Sequence, residues 1–166
     1  MNTSDLAQRK TILTENLIKL VEQDLTDLQK LQKFLELEAI ALRERLSDKI
    51  QFCADTKSKL ITQIKTRAQT KAKLMASAGV GIEAGKVKAG VDSLGSKKLS
   101  HLWEESLLKL EQCQQRNQVN GLVIQRSKLR NQKLMDIIRG QTQAPKLYGQ
   151  QGSEKAYGGV NSIAKA

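Results

Sequence analysis

Apolar residues recur at alternating steps of three and four from near the start of the chain: Leu13, Leu17, Leu20, then Leu28, Leu31, Leu35 and Leu42. Ile18, Val21 and Leu25 flank this ladder and widen it into a face suited to a helix bundle. No Gly or Pro, the two main helix breakers, occurs in residues 1–78. The spacing predicts helix from a cap at Ser4 or Asp5 onward. Near residues 43–48 the ladder stumbles on Arg43, Glu44 and Arg45, and Ser47-Asp48 offers a fresh helix start. The register then resumes as Leu46, Ile50, Cys53, Leu60 and Ile64. One continuous helix of ~70 residues would stretch ~105 Å. A hairpin that turns near 43–48 buries both stripes against each other, which favours a hairpin over residues 1–75.

Residues 76–99 are small and Gly-rich, and read as a flexible or loosely helical connection. Residues 100–140 carry the most regular pattern. Ser100 is a candidate N-cap, Gly140 a candidate C′ residue, and Pro145 prevents the helix from resuming. Steps of three and four from Trp103 reach Ser106, Leu110, Cys113, Asn117, Asn120, Ile124, Ser127, Asn131, Leu134 and Ile138. Three Asn and two Ser thus stand where aliphatic residues are expected. Inward-facing Asn fixes register and partner choice in coiled coils. The alternative is a seam that drifts to Val119 and Val123 and leaves the amides in water. Residues 141–166 lack periodicity, yet hold Leu147, Tyr148, Tyr157, Val160 and Ile163, apolar anchors of the kind found in binding peptides. The expected fold is all-α: an elongated antiparallel helical hairpin plus a third long helix, a three-helix bundle or coiled coil, with a flexible C-terminal tail.

Composition narrows the chemistry. Five aromatic residues in 166, and an apolar inventory of Leu, Ile and Ala, suit a thin ridge-like core and not an enzyme with a deep pocket. His101 is the single histidine, so triads and multi-His metal sites would all have to pass through it; a surface histidine is the simpler reading. Cys53 and Cys113 form no metal or redox spacing, which fits reduced thiols in a cytoplasmic protein. Gly79, Gly81 and Gly85 miss the phosphate-loop spacing, and Lys86 is followed by Val87. No enzyme activity, cofactor, metal or transmembrane segment is expected. Residues 1–55 hold 8 Lys/Arg against 10 Asp/Glu, whereas residues 56–166 hold 20 against 7. Such polarity raises nucleic acid, an anionic membrane or an acidic protein as partners. The run Lys57, Lys59, Lys65, Arg67, Lys71 and Lys73 motivates the first, but no nucleic-acid-binding motif accompanies it, so nucleic acid is the weaker alternative.

The string NQVNGLVIQRSKLRNQKLMDIIRG followed by APKLYGQQG resembles the signature of the FlgN family of flagellar type III export chaperones. The match rests on Asn117, Asn120, Gly121 and Ile124, then Asn131, Leu134 and Ile138, then the box Leu147, Tyr148, Gly149 and Gly152. Glu38, Ala39 and Leu42, with Lys57, Leu60 and Ile61, suit the family's helical hairpin more loosely. The basic balance and the long Gly-rich connection depart from the family pattern. The resemblance implies a cytoplasmic chaperone that keeps hook-associated (hook–filament junction) proteins unassembled. It implies cargo binding through Asn120, Val123, Ile124, Asn131, Leu134, Ile137 and Ile138. It implies docking on the cytoplasmic domain of the export gate through Leu147, Tyr148, Gly149 and Gly152. The thin seam also leaves room for a homodimer in the free chaperone.

Overall fold

The computed structural model describes residues 3–80 and 86–139. Four helices account for most of them: α1 (Thr3–Glu44), α2 (Ser47–Ser77), α3 (Val87–Ser93) and α4 (Lys97–Ile138). No strand occurs among the described residues. The chain divides into two units, Met1–Ile124 and Gln125–Ala166, so α4 contributes to both. α1 opens at Thr3, which places Ser4 and Asp5 inside the helix and not before it.

In the first unit α2 folds back along α1. The reversal takes two residues and no glycine. Arg45 adopts φ 58°, and Leu46 N–H donates to Ala41 O at 3.0 Å, the six-to-one bond of a Schellman closure. Gly79 (φ 71°) closes α2 in the same way, with Val80 N–H donating to Met75 O at 2.9 Å.

The α1 ladder fills two aliphatic blocks. Leu13, Leu17, Val21 and Leu25 pack with Met75, Val91, Leu94, Leu99 and Trp103. Leu28, Leu31 and Leu35 pack with Leu60 and Cys113, with Phe34, Ile64 and Leu110 at the margin. Each fully buried leucine here, such as Leu17 or Leu99, contributes about 1.5–3 kcal/mol of transfer free energy.

The Gly-rich connection differs from a plain loop. α3 forms inside it because Val91 and Leu94 bury into the first block, and tertiary contact outweighs the low helix propensity of Gly90. α4 also starts earlier than Ser100. Ser96 accepts the Leu99 N–H at 3.2 Å, while the Ser100 hydroxyl donates to Asp92 at 2.7 Å. Residues 81–85 and 140–166, with Gly140, Leu147, Tyr148, Gly149 and Gly152, lie outside the described residues.

The left-handed conformation costs a residue bearing a Cβ about 1–2 kcal/mol, part of which glycine returns through its freer unfolded chain. Arg45→Gly is expected to stabilise the protein by about 0.5–1 kcal/mol, read as a higher urea midpoint at unchanged slope. A lower midpoint would contradict this turn geometry.

Candidate functional site

Two seam positions of α1 are acidic. Asp24 and Glu38 fall in line with Leu17, Val21, Leu28, Leu31 and Leu35, and both are buried, at 3% and 1% exposure. A carboxylate in such a place must be paired and hydrogen-bonded. α2 supplies the partners. Arg67 donates to Asp24 and Asp27 at 2.6 Å each, and Lys71 donates to Asp24 at 2.5 Å. Lys57 donates to Glu38 at 2.7 Å. Fourteen residues separate Asp24 from Glu38, and fourteen separate Lys57 from Lys71. These are two heptads in each helix, so both layers form in the same register.

α4 completes each layer. The Lys71 ammonium stands 4.9 Å from the Trp103 ring centroid, a cation–π contact. Asn120 is 5% exposed, and its amide nitrogen donates to Leu35 O and to Glu38, both at 2.9 Å. Asn117 is exposed at its edge, yet its amide oxygen accepts from Lys57 at 2.9 Å. Glu38 Oε2 thus takes two donors, while Glu38 Oε1 is without a hydrogen-bond partner among the described residues. Burial draws the Arg67 guanidinium down, and its bonds to Asp24 and Asp27 outweigh that and leave it above its ordinary value.

The basic run of α2 is therefore split. Lys57, Arg67 and Lys71 turn inward onto carboxylates, and Lys59, Lys65 and Lys73 are exposed. Sequence reasoning missed the Asp24–Arg67–Lys71 layer. The signal was present as acids standing on the α1 ladder, with bases at matching distances beyond the turn.

Between α2 and α4 a cavity of about 300 Å³ opens over Leu28, because Ala68 and Ala72 of α2 are too short to meet Leu107 and Leu110. Its charged members, Asp24 and Lys71, are paired with each other, so the wall it presents is mainly apolar. His101 is exposed, and no cluster of three metal-ligating side chains occurs among the described residues.

Of the candidate binding residues, Asn120 is inside the bundle, Ile124 is half-buried and Val123 is 41% exposed. Val119, on the alternative seam, is 60% exposed. In the second unit Asn131, Leu134, Ile137 and Ile138 are all exposed, with Leu129 and Met135 beside them.

Both cysteines are free and buried. Burial, then the Glu38 carboxylate, pushes the Cys53 thiol up against the opposing pull of Lys57; burial pushes Cys113 up against Arg116 and Lys109. The folded chain keeps thiol protons that the unfolded chain releases. Stability is therefore unaffected below the ordinary thiol range and falls as pH rises through it. At neutral pH both thiols should resist iodoacetamide in the native protein and react in urea; rapid native labelling would contradict their burial. Glu38→Ala leaves Lys57 and Asn120 without their shared acceptor and is expected to cost about 3 kcal/mol in urea unfolding. Joint replacement of Glu38 and Lys57 by Leu should recover most of that loss.

The FlgN protein family model matches residues 11–156. Comparison with curated proteins and with solved structures gives no match. The matched span takes in both polar layers, α3 and the whole of α4. Over that length the chain belongs to the FlgN family, whose members are flagellar export chaperones.

Proposed function

We propose that this chaperone binds hook-associated proteins through α4, holds them unassembled, and passes them to the cytoplasmic domain of the flagellar export gate. FlgN is a family of chaperones. No helix among the described residues is long and apolar enough to cross a membrane.

The observation that carries the reading is the concentration of exposed aliphatic side chains near the end of α4: Leu129, Leu134, Met135, Ile137 and Ile138, at 45–77% exposure. Apolar surface gathered in one short stretch marks a partner site, since water contact at each such side chain forgoes about 1.5–3 kcal/mol of burial. A helix laid along another helix suits it, with anchors at three- and four-residue spacing. In this proposal Val123 and Ile124 in the first unit and Asn131, Leu134, Ile137 and Ile138 in the second touch cargo. Asn120 takes part by locking α4 to the Leu35 carbonyl and Glu38, which fixes which α4 residues remain outside.

Delivery is assigned to the box Leu147, Tyr148, Gly149 and Gly152. Tyrosine suits a docking role, with a rigid apolar ring and one hydrogen-bonding end.

Capture of purified hook-associated protein by the full chain tests the first half. Joint Leu134→Asp and Ile138→Asp changes should weaken capture by at least about tenfold. Unchanged capture would remove these residues from the site. Tyr148→Ala should leave capture intact and lower cargo secretion by flagellated cells; equal secretion by variant and wild type would remove the docking role.

A further inference from the structure

The α1–α2 seam shows how this chain joins two helices. One stripe carries carboxylates among leucines, at Asp24, Leu28, Leu31, Leu35 and Glu38. The facing stripe carries cations among aliphatics, at Lys57, Leu60, Ile64, Arg67 and Lys71. Each cation reaches a carboxylate of the opposite helix.

Residues 125–139 repeat the second kind of stripe. Arg126, Arg130, Lys133 and Ile137 follow one another at steps of four, three and four. With Leu129 and Leu134 they share roughly 140° of the helix surface at about 100° per residue. This stretch holds five Lys/Arg and one acid, Asp136, at the edge of the face. None of the five cations makes an ion pair among the described residues, and Leu129, Leu134 and Ile137 are 52–60% exposed. Like charges at three- and four-residue spacing oppose the helix that carries them until an opposite charge arrives.

We infer that this face of α4 receives an acidic amphipathic helix, in which Glu or Asp interrupts a leucine-type stripe as Asp24 and Glu38 interrupt α1. The inference rests on the cargo reading above and adds the chemistry of the helix that α4 accepts. A second copy of the same stretch would set cation against cation. α1, the acid-bearing stripe of the chain, is already covered by α2. An anionic membrane suits helices whose cations and aliphatics lie on opposite sides, whereas here they are interleaved on one side. A single strand of nucleic acid calls for aromatic stacking, and residues 125–139 contain no aromatic residue.

The test uses the full chain and three synthetic helical peptides with one leucine stripe and Glu, Gln or Lys at the flanking positions. Fluorescence anisotropy should show the Glu peptide binding about tenfold or more tightly over the Gln peptide, with the Lys peptide weakest. The preference should shrink near 1 M salt, where screening acts within about 3 Å. Joint Arg126→Glu, Arg130→Glu and Lys133→Glu changes should reverse the order of the peptides. Circular dichroism should show the helix retained, as all three positions are exposed. Equal binding of the three peptides, or an unchanged order in the variant, overturns the inference. So does binding of phosphatidylserine vesicles or of single-stranded DNA more tightly than the Glu peptide, or a charge-reversal variant that gains a dimer by light scattering.

The two readings fail separately. If hook-associated protein is captured through Leu134 and Ile138 but is indifferent to the charge reversal, the acidic-helix inference falls and the cargo reading stands. If the Glu peptide binds and hook-associated protein does not, the cargo reading falls and the surface chemistry stands.

Discussion

A carboxylate that interrupts the aliphatic ladder of a helix constrains every helix packed against it. Asp24 and Glu38 are almost wholly buried, and each must find a cation or lose far more in desolvation than its neighbours gain by packing. α2 offers Lys57, Arg67 and Lys71 only when the turn sits at Arg45–Leu46; slipping the register by one heptad would carry both acids away from their cations, and slipping it by two would still leave one layer unpaired. Leucine blocks alone would tolerate such a slip, because one leucine meets another much as well as the next. Buried ion pairs add little net stability over an aliphatic pair, and their contribution is to choose among arrangements of similar energy. The same choice extends to α4. Asn120 shares Glu38 with Lys57, and Trp103 lies over Lys71, so the third helix is positioned by the layers that align the first two.

How much of this the residues declared in advance depends on the range of each interaction. Helix and face are local properties. The Gly- and Pro-free first 78 residues and the α1 ladder describe the observed helices, whereas of the three Asn on the α4 steps Asn120 is buried and Asn117 and Asn131 are exposed. Caps are local too, but several residues compete for them. Ser100 has the sequence of a cap, yet Ser96 holds the position because Gly95, at φ 75°, turns the chain one residue ahead of it. α3 was illegible for a different reason: seven residues with a central glycine have no helix propensity to notice, and Val91 and Leu94 are fixed by leucines of α1 more than sixty residues away.

The basic run illustrates the largest gap between pattern and structure. As a string, Lys57 to Lys73 resembles a solvated cationic face or a nucleic-acid contact. In the bundle its heptad members point at acids of α1, and the members between them point to water. Charge counting over the run cannot separate the two sets, because the separation is made by the partner helix. The inward character of Asn120 was readable from its place on the α4 seam, but its acceptors, the Leu35 carbonyl and Glu38, could be named only once the register of α1 was known.

The charge asymmetry between the two ends of the sequence then acquires a physical cause. Within the first unit the acids of α1 pair with Lys57, Arg67 and Lys71 of α2, and Glu22 and Glu36 pair at the surface with Lys98 and Arg116 of α4. The cations of residues 125–139 make no ion pair among the described residues, and the aliphatic side chains Leu129, Leu134 and Ile137 between them are exposed. A sequence that pairs its buried carboxylates with cations in one unit, while a similar stripe stays exposed among the described residues of the other, has the composition of one half of an interface. The stripe that completes it has to bring negative charge together with leucine-like surface, for the same reason that α1 had to in order to hold α2.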